Sequence, residues 1–289
     1  MDSNLKDFIE NSLNKQLQTK SNFNWKAIGG GSINNTYQVL SNTHLFFVKV
    51  NTTTVFENGF KEEVLGLQFL NKHKALIPNI ILDGTFQNQA YLVLEWIESK
   101  KETPKFWENF AMQLVNLHQQ KSDKFGLDYA NFMGQLSQKN TYFNKFSDFY
   151  IENRLKPQVK LAFDSNKIEK KHLKQFEGLY TKIPQIFPVE KPSAIHGDLW
   201  NGNFICSESE KAVFIDPAVY YGHREVDIAM TQLFGGFSEK FYKTYNEIYP
   251  LEPCFNLRNN FYHLYPLLIH LNTFGKSYLE SIENIITEF

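Results

Sequence analysis

The sequence predicts an α+β fold of two lobes: a small N-terminal lobe with an antiparallel sheet plus helix, and a larger, mainly helical C-terminal lobe. Its 289 residues exceed the usual size of a single hydrophobic core. Strand-like segments dominate roughly the first hundred residues, and helical spacing dominates the rest. The pattern changes just after residue 98, which predicts an N-terminal lobe at 1–98 and a C-terminal lobe at 99–289.

The N-terminal lobe is predicted in the order helix, hairpin, strand, helix, strands. The opening segment has apolar residues at helical spacing, with Ser3 as a candidate N-cap. Apolar segments on both sides of a glycine run predict a hairpin, and LFFVKV at 45–50 predicts the next strand. Apolar residues recur at helical spacing in 59–73, which predicts a helix, and AYLVLEWIE at 90–98 predicts a buried strand.

The C-terminal lobe is predicted to begin with a helix that has Thr103 as its N-cap and Pro104 at its first position. Helical spacing continues from there and is interrupted twice, by KPSAIHGDLWNGNFICS and by KAVFIDPAVYYG. These interruptions predict two short strands with polar loops.

The composition excludes several classes of protein. The net charge is −1 and no polybasic run occurs, so neither nucleic acid nor a membrane is an expected partner. Two cysteines, Cys206 and Cys254, are too few for a disulfide framework. No signal-peptide pattern and no membrane-spanning run occur, so a cytoplasmic protein is expected. The sequence leaves the oligomeric state open, with a monomer as the simplest expectation.

The stretch HGDLWNGN, residues 196–203, is the strongest chemical signal. Asp198 and Asn203 fit the spacing H-x-D-x-x-x-x-N, in which the Asp accepts a proton from an attacking hydroxyl and the Asn amide oxygen binds Mg²⁺. Asp216 ends the apolar strand VFI and supplies a carboxylate of the kind that Mg²⁺ prefers. The alternative interpretation is two polar turns with a helix-capping Asp.

The glycine-rich segment GGGSIN lies at 29–34 between two predicted strands. Gly30, Gly31 and Ser32 could bring backbone N–H groups close to phosphates without interference from a Cβ atom. The segment matches neither GxGxxG nor the P-loop pattern, so an ordinary glycine-rich hairpin turn is an equal alternative.

Lys49 is the one charged residue in the apolar strand FFVKV. It could reach the phosphates of a nucleotide and be held by a Glu of the following helix. Glu63 lies beside the apolar stripe of that helix and is preferred over Glu62. The alternative is a lysine on the solvent face of the strand and a solvated pair of acids.

The strand LVLEWIE runs into the predicted lobe boundary. Backbone groups of Glu95, Trp96 and Ile97 could there contact an adenine edge. The alternative is an ordinary buried strand.

With these residues in view, the chain resembles the fructosamine kinase (ketosamine-3-kinase) family, within the protein-kinase-like and aminoglycoside-phosphotransferase superfamily. HGDLWNGN and DPAVYYGHREVD carry the resemblance most specifically, and GGGSIN, FFVKV, FKEEVLGL, LVLEWI and FYIENRLKPQ support it. The resemblance implies a protein-kinase-like fold, ATP and Mg²⁺, and phosphorylation of the 3-hydroxyl of ribulosamines or fructosamines. These sugar adducts occur on small molecules and on protein lysines, and phosphorylation makes them unstable, so the reaction repairs glycation.

The resemblance also makes 1–98 the nucleotide-binding lobe and 99–289 the catalytic and substrate lobe, and it implies roles for the residues named above. Asp198 would be the catalytic base, Asn203 and Asp216 would hold Mg²⁺, and Lys49 with Glu63 would position the phosphates.

Two further residues, Trp200 and His196, would contact the substrate. The alternative for Trp200 is a core aromatic. Asp227 would support the catalytic loop from behind, and Arg224 is a candidate for a buried ion pair. Many members of the family carry Cys where this chain has Ser32, so disulfide control at that loop is not expected.

Two rival functions stay open at this point. The first is a kinase of the same fold that acts on another small alcohol, such as an aminoglycoside or choline. The sequence shows no acidic cluster after HREVD to bind a polycation, which disfavours an aminoglycoside. The second is a nucleotide-binding module without turnover, which retention of Lys49, Asp198, Asn203 and Asp216 disfavours. Pro217 after Asp216 argues against a switching activation loop.

Overall fold

The N-terminal part of the fold is a five-stranded antiparallel sheet, seen in a computed structural model that describes residues 2–29, 34–54, 59–287 and 289. Its strands are β1 Asn24–Ile28, β2 Asn35–Leu40, β3 Leu45–Thr52, β4 Ile80–Phe86 and β5 Gln89–Glu95. They lie in the order β1-β2-β3-β5-β4, so the central strand β3 pairs with β2 on one side and β5 on the other.

The C-terminal part is mainly helical, while the first two helices belong with the sheet. The helices are α1 Ser3–Leu17, α2 Lys61–Lys72, α3 Pro104–His118, α4 Phe146–Phe149, α5 Lys156–Asp164, α6 Lys170–Ile186, α7 Glu225–Leu233, α8 Glu239–Ile248, α9 Phe255–Phe274 and α10 Leu279–Ile286. A π-helical turn at Tyr150–Leu155 joins α4 to α5, and a 3₁₀ turn at Lys276–Tyr278 precedes α10. The predicted α+β arrangement is confirmed.

Alternation along β3 decides which way its side chains point. Successive residues of a strand face opposite sides of the sheet. Val48 and Val50 therefore pack on the α1 side, while Phe47 packs with the residues on the α2 side. Lys49 shares the side of Phe47 and faces α2, where it bonds to Glu63. The strand pattern thus points the one lysine of FFVKV inward rather than to solvent.

Helix α1 docks on the other face of the sheet. Leu5, Ile9 and Leu13 recur every four residues, are fully buried, and pack against Val48 and its neighbours on that face. Its N-cap is Asp2, whose side chain accepts the Asn4 N–H, so the predicted Ser3 cap is wrong by one residue. At α3, Thr103 caps the helix by accepting the Phe106 N–H at 3.1 Å, as predicted.

The helical part also contains short strands, more than the two predicted. Each of the two interrupting segments splits into two strands, because the catalytic-loop candidates lie between them. The strands are β6 Asn131–Met133, β7 Leu136–Gln138, β8 Ser193–Ile195, β9 Phe204–Cys206, β10 Ala212–Phe214 and β11 Tyr220–Gly222. They form three antiparallel pairs in the described part of the chain: β6 with β7, β8 with β11 and β9 with β10.

The C-terminal half of α2 packs against the helical part of the chain. Phe69 and Leu70 belong to the same buried cluster as the core of α3. His73, just after α2, contacts the Tyr221 hydroxyl at 2.9 Å through Nε2. Since α2 packs on both parts of the chain, a boundary at residue 98 stays a prediction. No helix among the described residues is both long enough and apolar enough to cross a bilayer.

Replacing Ile9 with Ala should lower the free energy of unfolding by about 2–4 kcal/mol, because it leaves a cavity between α1 and the sheet. Chemical denaturation measures this change. Asn11→Ala on the exposed side of the same helix should change it by less than about 0.5 kcal/mol. Equal losses from the two variants would contradict this packing of α1.

Candidate active site

The turn that follows β8 requires glycine at its second position. Gly197 has a φ of 85°, and a Cβ atom there would lie 2.1 Å from the carbonyl oxygen of Ala218. A side chain is therefore excluded both by backbone conformation and by space. The Ala218 N–H donates back to the His196 carbonyl at 2.9 Å. The turn is thus fixed against the segment that follows Asp216.

Asp227, in the first turn of α7, holds the backbone of the same turn from behind. Its Oδ2 accepts the His196 N–H and its Oδ1 accepts the Gly197 N–H, each at 2.8 Å. His118 Nε2 lies 3.0 Å from Oδ2, and both side chains are fully buried. Burial lowers the pKa of His118 despite the neighbouring carboxylate, so the neutral ring donates through Nε2 and accepts from Tyr245 through Nδ1. The structure thus places Asp227 where the sequence predicted its supporting role.

Asp198 and Asn203 are in direct contact at the end of this turn. The Asn203 Nδ2 donates to the Asp198 Oδ2 at 3.0 Å and to the Asp198 carbonyl at 2.8 Å. Burial raises the pKa of Asp198 to about 7, although the bond from Asn203 opposes the rise. A carboxylate whose pKa lies near neutrality is suited to accept a proton. Both bonds use the Asn203 amide nitrogen, so its amide oxygen points elsewhere.

Asp216 follows β10 with a left-handed backbone, at a φ of 52°, which is uncommon for a residue other than glycine. Its carboxylate accepts a hydrogen bond from the Lys49 ammonium group. Burial by itself would raise the pKa of Asp216, but Lys49 holds it below its ordinary value. The adjoining Pro217 packs against α2, where a Cβ atom at Gly66 would lie 3.0 Å from the proline ring.

Lys49 lies between two carboxylates. It is only 5% exposed, and its Nζ lies 2.8 Å from Glu63 Oε1 in addition to its bond with Asp216. Burial opposes the charged form of Lys49, but the Asp216 and Glu63 carboxylates outweigh burial and raise its pKa above the ordinary value. The lysine is thus held charged at the junction of β3, α2 and the loop after β10.

One cavity of about 650 Å³ is lined by all five side chains that were predicted to act in the reaction, namely Lys49, Glu63, Asp198, Asn203 and Asp216. Its volume lies in the range of small-molecule sites in proteins. Residues from both the sheet and the helical part form its walls.

The predicted phosphate loop, Gly30, Gly31 and Ser32, lies outside the described residues. The nearest described residues before and after it, Gly29 and Asn34, both line the cavity.

The adenine contact from the backbone of Glu95, Trp96 and Ile97 stays a prediction. The Glu95 N–H donates to the Asn79 carbonyl at 2.9 Å, and the Trp96 N–H donates to the Leu45 carbonyl at 3.2 Å. These two N–H groups bond to the ends of neighbouring strands and are therefore not available to a nucleotide.

His196 does not occupy the substrate-contacting position that was predicted for it. Its side chain is fully buried, its Nε2 lies 3.0 Å from the Ile215 carbonyl, and its Nδ1 lies 3.3 Å from the Asp198 N–H. The ring therefore joins the turn that carries Asp198 to the residue between β10 and Asp216. Its observed contacts position the two carboxylates rather than a substrate.

Trp200, in contrast, lines the cavity and is 37% exposed. Its ring lies over Gly202, where a Cβ atom would come within 2.4 Å of it, and meets the Phe234 ring edge-on at 6.1 Å between centroids. Trp200 is thus not the core aromatic of the alternative interpretation.

Sequence reasoning missed a second group of lining residues. The hairpin of β6 and β7 contributes Asn131 to Gly134, and the end of α9 contributes His270 and Phe274. The hairpin lies in a stretch that was predicted as helical, and its strands are only three residues long. The positions in α9 follow from packing between distant segments, which no local pattern indicates.

Comparison with known proteins decides the family. A model of the fructosamine kinase family matches residues 1–289. The chain belongs to the fructosamine kinase family. A relative from Enterococcus faecium named as a ketoamine kinase is 36% identical over 262 residues, covering 90% of this chain and 93% of that protein. Another from Arabidopsis thaliana, named as a chloroplastic protein-ribulosamine 3-kinase, is 32% identical over 273 residues, covering 91% of this chain and 81% of that protein.

Solved structures agree with this assignment. A crystal structure of a protein named as a fructosamine-3-kinase from Haemophilus somnus has a TM-score of 0.86 at 29% identity, covering 97% of this chain and 96% of that chain. An aminoglycoside phosphotransferase shares the fold, with a TM-score of 0.63 at 12% identity over 98% of this chain and 97% of that chain. The predicted two-lobed, protein-kinase-like fold is confirmed.

Members of a kinase family use ATP, typically with Mg²⁺. Oxygen atoms that could bind that metal are present in this cavity. Asp216 supplies a carboxylate, and Asn203 has its amide oxygen left over after both nitrogen bonds to Asp198. Magnesium usually takes one or two carboxylates from the protein and completes its shell with phosphate oxygens and water. In the described part of the chain no group of three or more His, Cys, Asp or Glu is placed to hold a metal ion.

Gly197→Ala should lower the thermal midpoint much more than Gly236→Ala does. Both glycines have positive φ values, 85° and 75°, so both variants carry a backbone cost of about 1–2 kcal/mol. Only the Cβ at residue 197 would also meet a backbone oxygen, whereas the nearest atom at residue 236 is 3.9 Å away. Differential scanning fluorimetry measures both variants. Equal midpoints would show that the turn is not held as tightly as described.

Proposed function

We propose that the protein transfers the γ-phosphoryl group of ATP to the 3-hydroxyl of a ketosamine, either a ribulosamine or a fructosamine adduct. The observation that carries the proposal is the convergence of Lys49, Asp198, Asn203 and Asp216 on one cavity. Membership of the fructosamine kinase family and the ribulosamine 3-kinase among the relatives support the choice of acceptor.

Asp198 is the proposed base. Its raised pKa matches a group that takes up a proton near neutral pH. In the reaction the acceptor oxygen forms a bond to the γ-phosphorus while the bond from that phosphorus to the β,γ-bridging oxygen breaks. The hydroxyl proton passes to Asp198, and ADP leaves. The bond from Asn203 keeps the Asp198 carboxylate in one orientation for this transfer.

Asn203 and Asp216 are the proposed ligands of Mg²⁺, which would neutralise charge on the phosphates when bound. Lys49 is the proposed phosphate contact. Its ammonium group already meets two carboxylates, and Glu63 fixes its direction from α2. A phosphate oxygen can replace the Asp216 oxygen at Lys49 without leaving the lysine charge unpaired, since Glu63 stays in contact.

The aromatic wall of the cavity is its proposed acceptor end. Trp200 and Phe234 lie there beside His270, whose ring centroid is 4.8 Å from that of Phe234. An aromatic wall suits a sugar face and the single ammonium charge of a ketosamine. The acids that line the cavity in its described part are on α2 or next to the catalytic loop, namely Glu62, Glu63, Asp198 and Asp216. A polycationic aminoglycoside would need further acids at the acceptor end.

Asp198→Asn should lower the turnover number by about 10²–10⁴-fold, because it removes the proton acceptor. ADP release is measured with a synthetic ribulosamine or fructosamine, an aminoglycoside or choline as the acceptor. Nucleotide affinity, measured by titration calorimetry, should change little, since Lys49 is untouched. The exposed Asp123→Asn is the matched control and should keep full activity.

Full turnover by Asp198→Asn would refute the assignment of the base. Turnover with an aminoglycoside or choline but with no ketosamine would refute the acceptor. ATP binding without turnover on any acceptor would favour the non-catalytic alternative.

A further inference from the structure

The segment FYIENRLKPQ places a buried arginine in the π-helical turn, and nothing in the proposed chemistry uses it. Arg154 is fully buried. Its guanidinium group donates to the Lys139 and Asn153 carbonyls and, at 2.7 Å, to the Asn140 amide oxygen, all of them neutral groups. Burying a charge against neutral partners is costly. A compensating interaction is therefore expected around this side chain.

Aromatic rings supply that compensation. The Arg154 guanidinium carbon lies 4.1 Å from the ring centroid of Tyr220, 4.6 Å from that of Phe149 and 5.3 Å from that of Tyr265. Cation–π contacts of this kind are strongest where water is excluded. The arrangement needs a planar guanidinium group, because a lysine ammonium could neither stack on the rings nor bond to two oxygens in a fork.

The contacts of Arg154 join three segments that form walls of the cavity. Asn140 follows the β6–β7 hairpin, Tyr220 lies on β11 after Asp216, and Tyr265 lies on α9. The hairpin contributes Asn131 to Gly134 to the cavity, the segment before Tyr220 contributes Pro217 and Ala218, and α9 contributes Ile269 and His270.

Hydrogen bonds extend this junction to the cavity wall itself. Asn140 donates to the Asn131 Oδ1 at 3.0 Å, and Gln138 donates to the same oxygen at 2.8 Å. Gln138 also donates to the Ala218 carbonyl at 3.1 Å and accepts the Tyr265 hydroxyl at 3.0 Å. Arg154 holds Asn140, so it determines where the hairpin lies against the segment after Asp216.

On the basis of the proposed function, we infer that Arg154 is a positioning residue for the acceptor end of the cavity. By clamping the hairpin it sets the distance between that wall and Trp200, and thereby the fit of the acceptor. It touches neither the phosphate-binding groups nor the reacting atoms. Its loss should therefore weaken use of the acceptor and leave use of ATP unchanged.

Arg154→Lys is the test, with Arg258→Lys as its matched control. Arg258 is also a buried arginine, but it bonds to Glu225 and to carbonyls before α9 and does not line the cavity. Arg154→Lys should raise the KM for the ketosamine by about tenfold or more and leave the KM for ATP within about twofold. Arg258→Lys should lower the thermal midpoint without changing either KM.

Hydrogen–deuterium exchange of residues 131–140 gives a second readout that needs no turnover. These amides should exchange faster in Arg154→Lys than in the wild type or in Arg258→Lys. If Arg154→Lys does not fold, Tyr265→Phe replaces it, because it removes only the hydroxyl bond to Gln138. That variant should also raise the acceptor KM selectively.

A lower midpoint in Arg154→Lys with both KM values unchanged, or with both raised equally, would overturn the inference. So would an unchanged acceptor KM in Tyr265→Phe when Arg154→Lys does not fold. A wild-type protein that phosphorylates no ketosamine would refute the proposed function instead. The exchange comparison would then decide the role of Arg154 by itself, and equal exchange in the two arginine variants would refute it.

Discussion

The ion pair between Lys49 and Asp216 is the interaction on which the site depends. It joins a central strand of the sheet to a loop that lies 167 residues further along the chain. Glu63 completes the cluster from α2, so three separate elements meet at one ammonium group. A buried lysine is tolerable only when such partners compensate the loss of water. The proposed phosphate contact, Lys49, and the proposed Mg²⁺ ligand, Asp216, are therefore the same groups that hold this junction together.

Three other residues, Asp227, Gly197 and Gly66, keep the parts of this junction in place. Asp227 holds the turn that carries Asp198 by its backbone N–H groups, and the Gly197 backbone leaves room for the Ala218 carbonyl. Gly66 lets α2 approach Pro217 closely, so the helix with Glu63 lies directly against the residue after Asp216. The turn that carries Asp198 and the cluster around Lys49 are therefore parts of one packed unit. Rigid packing of this kind preorganises charged groups for phosphoryl transfer.

The parts of the fold and of the candidate site that the sequence could predict are those with local signals. The spacing of HGDLWNGN and the Asp after VFI selected Asp198, Asn203 and Asp216, and the structure places all three on one cavity. Their roles in the reaction stay predictions. Helical periodicity chose Glu63, which the structure places at Lys49. The local sequence could not predict which face of the sheet carries Lys49, because that depends on where α1 and α2 pack against β3.

The parts that sequence could not predict depend on contacts between distant segments. His196 was predicted to contact the substrate because of its neighbours in the sequence. Its ring is instead buried, and its Nε2 bonds to the carbonyl of Ile215, 19 positions away. The wall made by the β6–β7 hairpin and α9 has no motif, because three-residue strands and single helical positions carry no periodic signal. The N–H groups of Glu95 and Trp96 are used by neighbouring strand ends, which only the sheet order reveals.

A crystal structure with a non-hydrolysable ATP analogue and Mg²⁺ tests the central claim most directly. We expect phosphates beside the Lys49 ammonium group and a metal bound by the Asp216 carboxylate and the Asn203 amide oxygen. We also expect Asp198 to stay free of the metal and to face the acceptor end. A nucleotide bound elsewhere, or a metal that contacts neither Asn203 nor Asp216, would contradict this assignment.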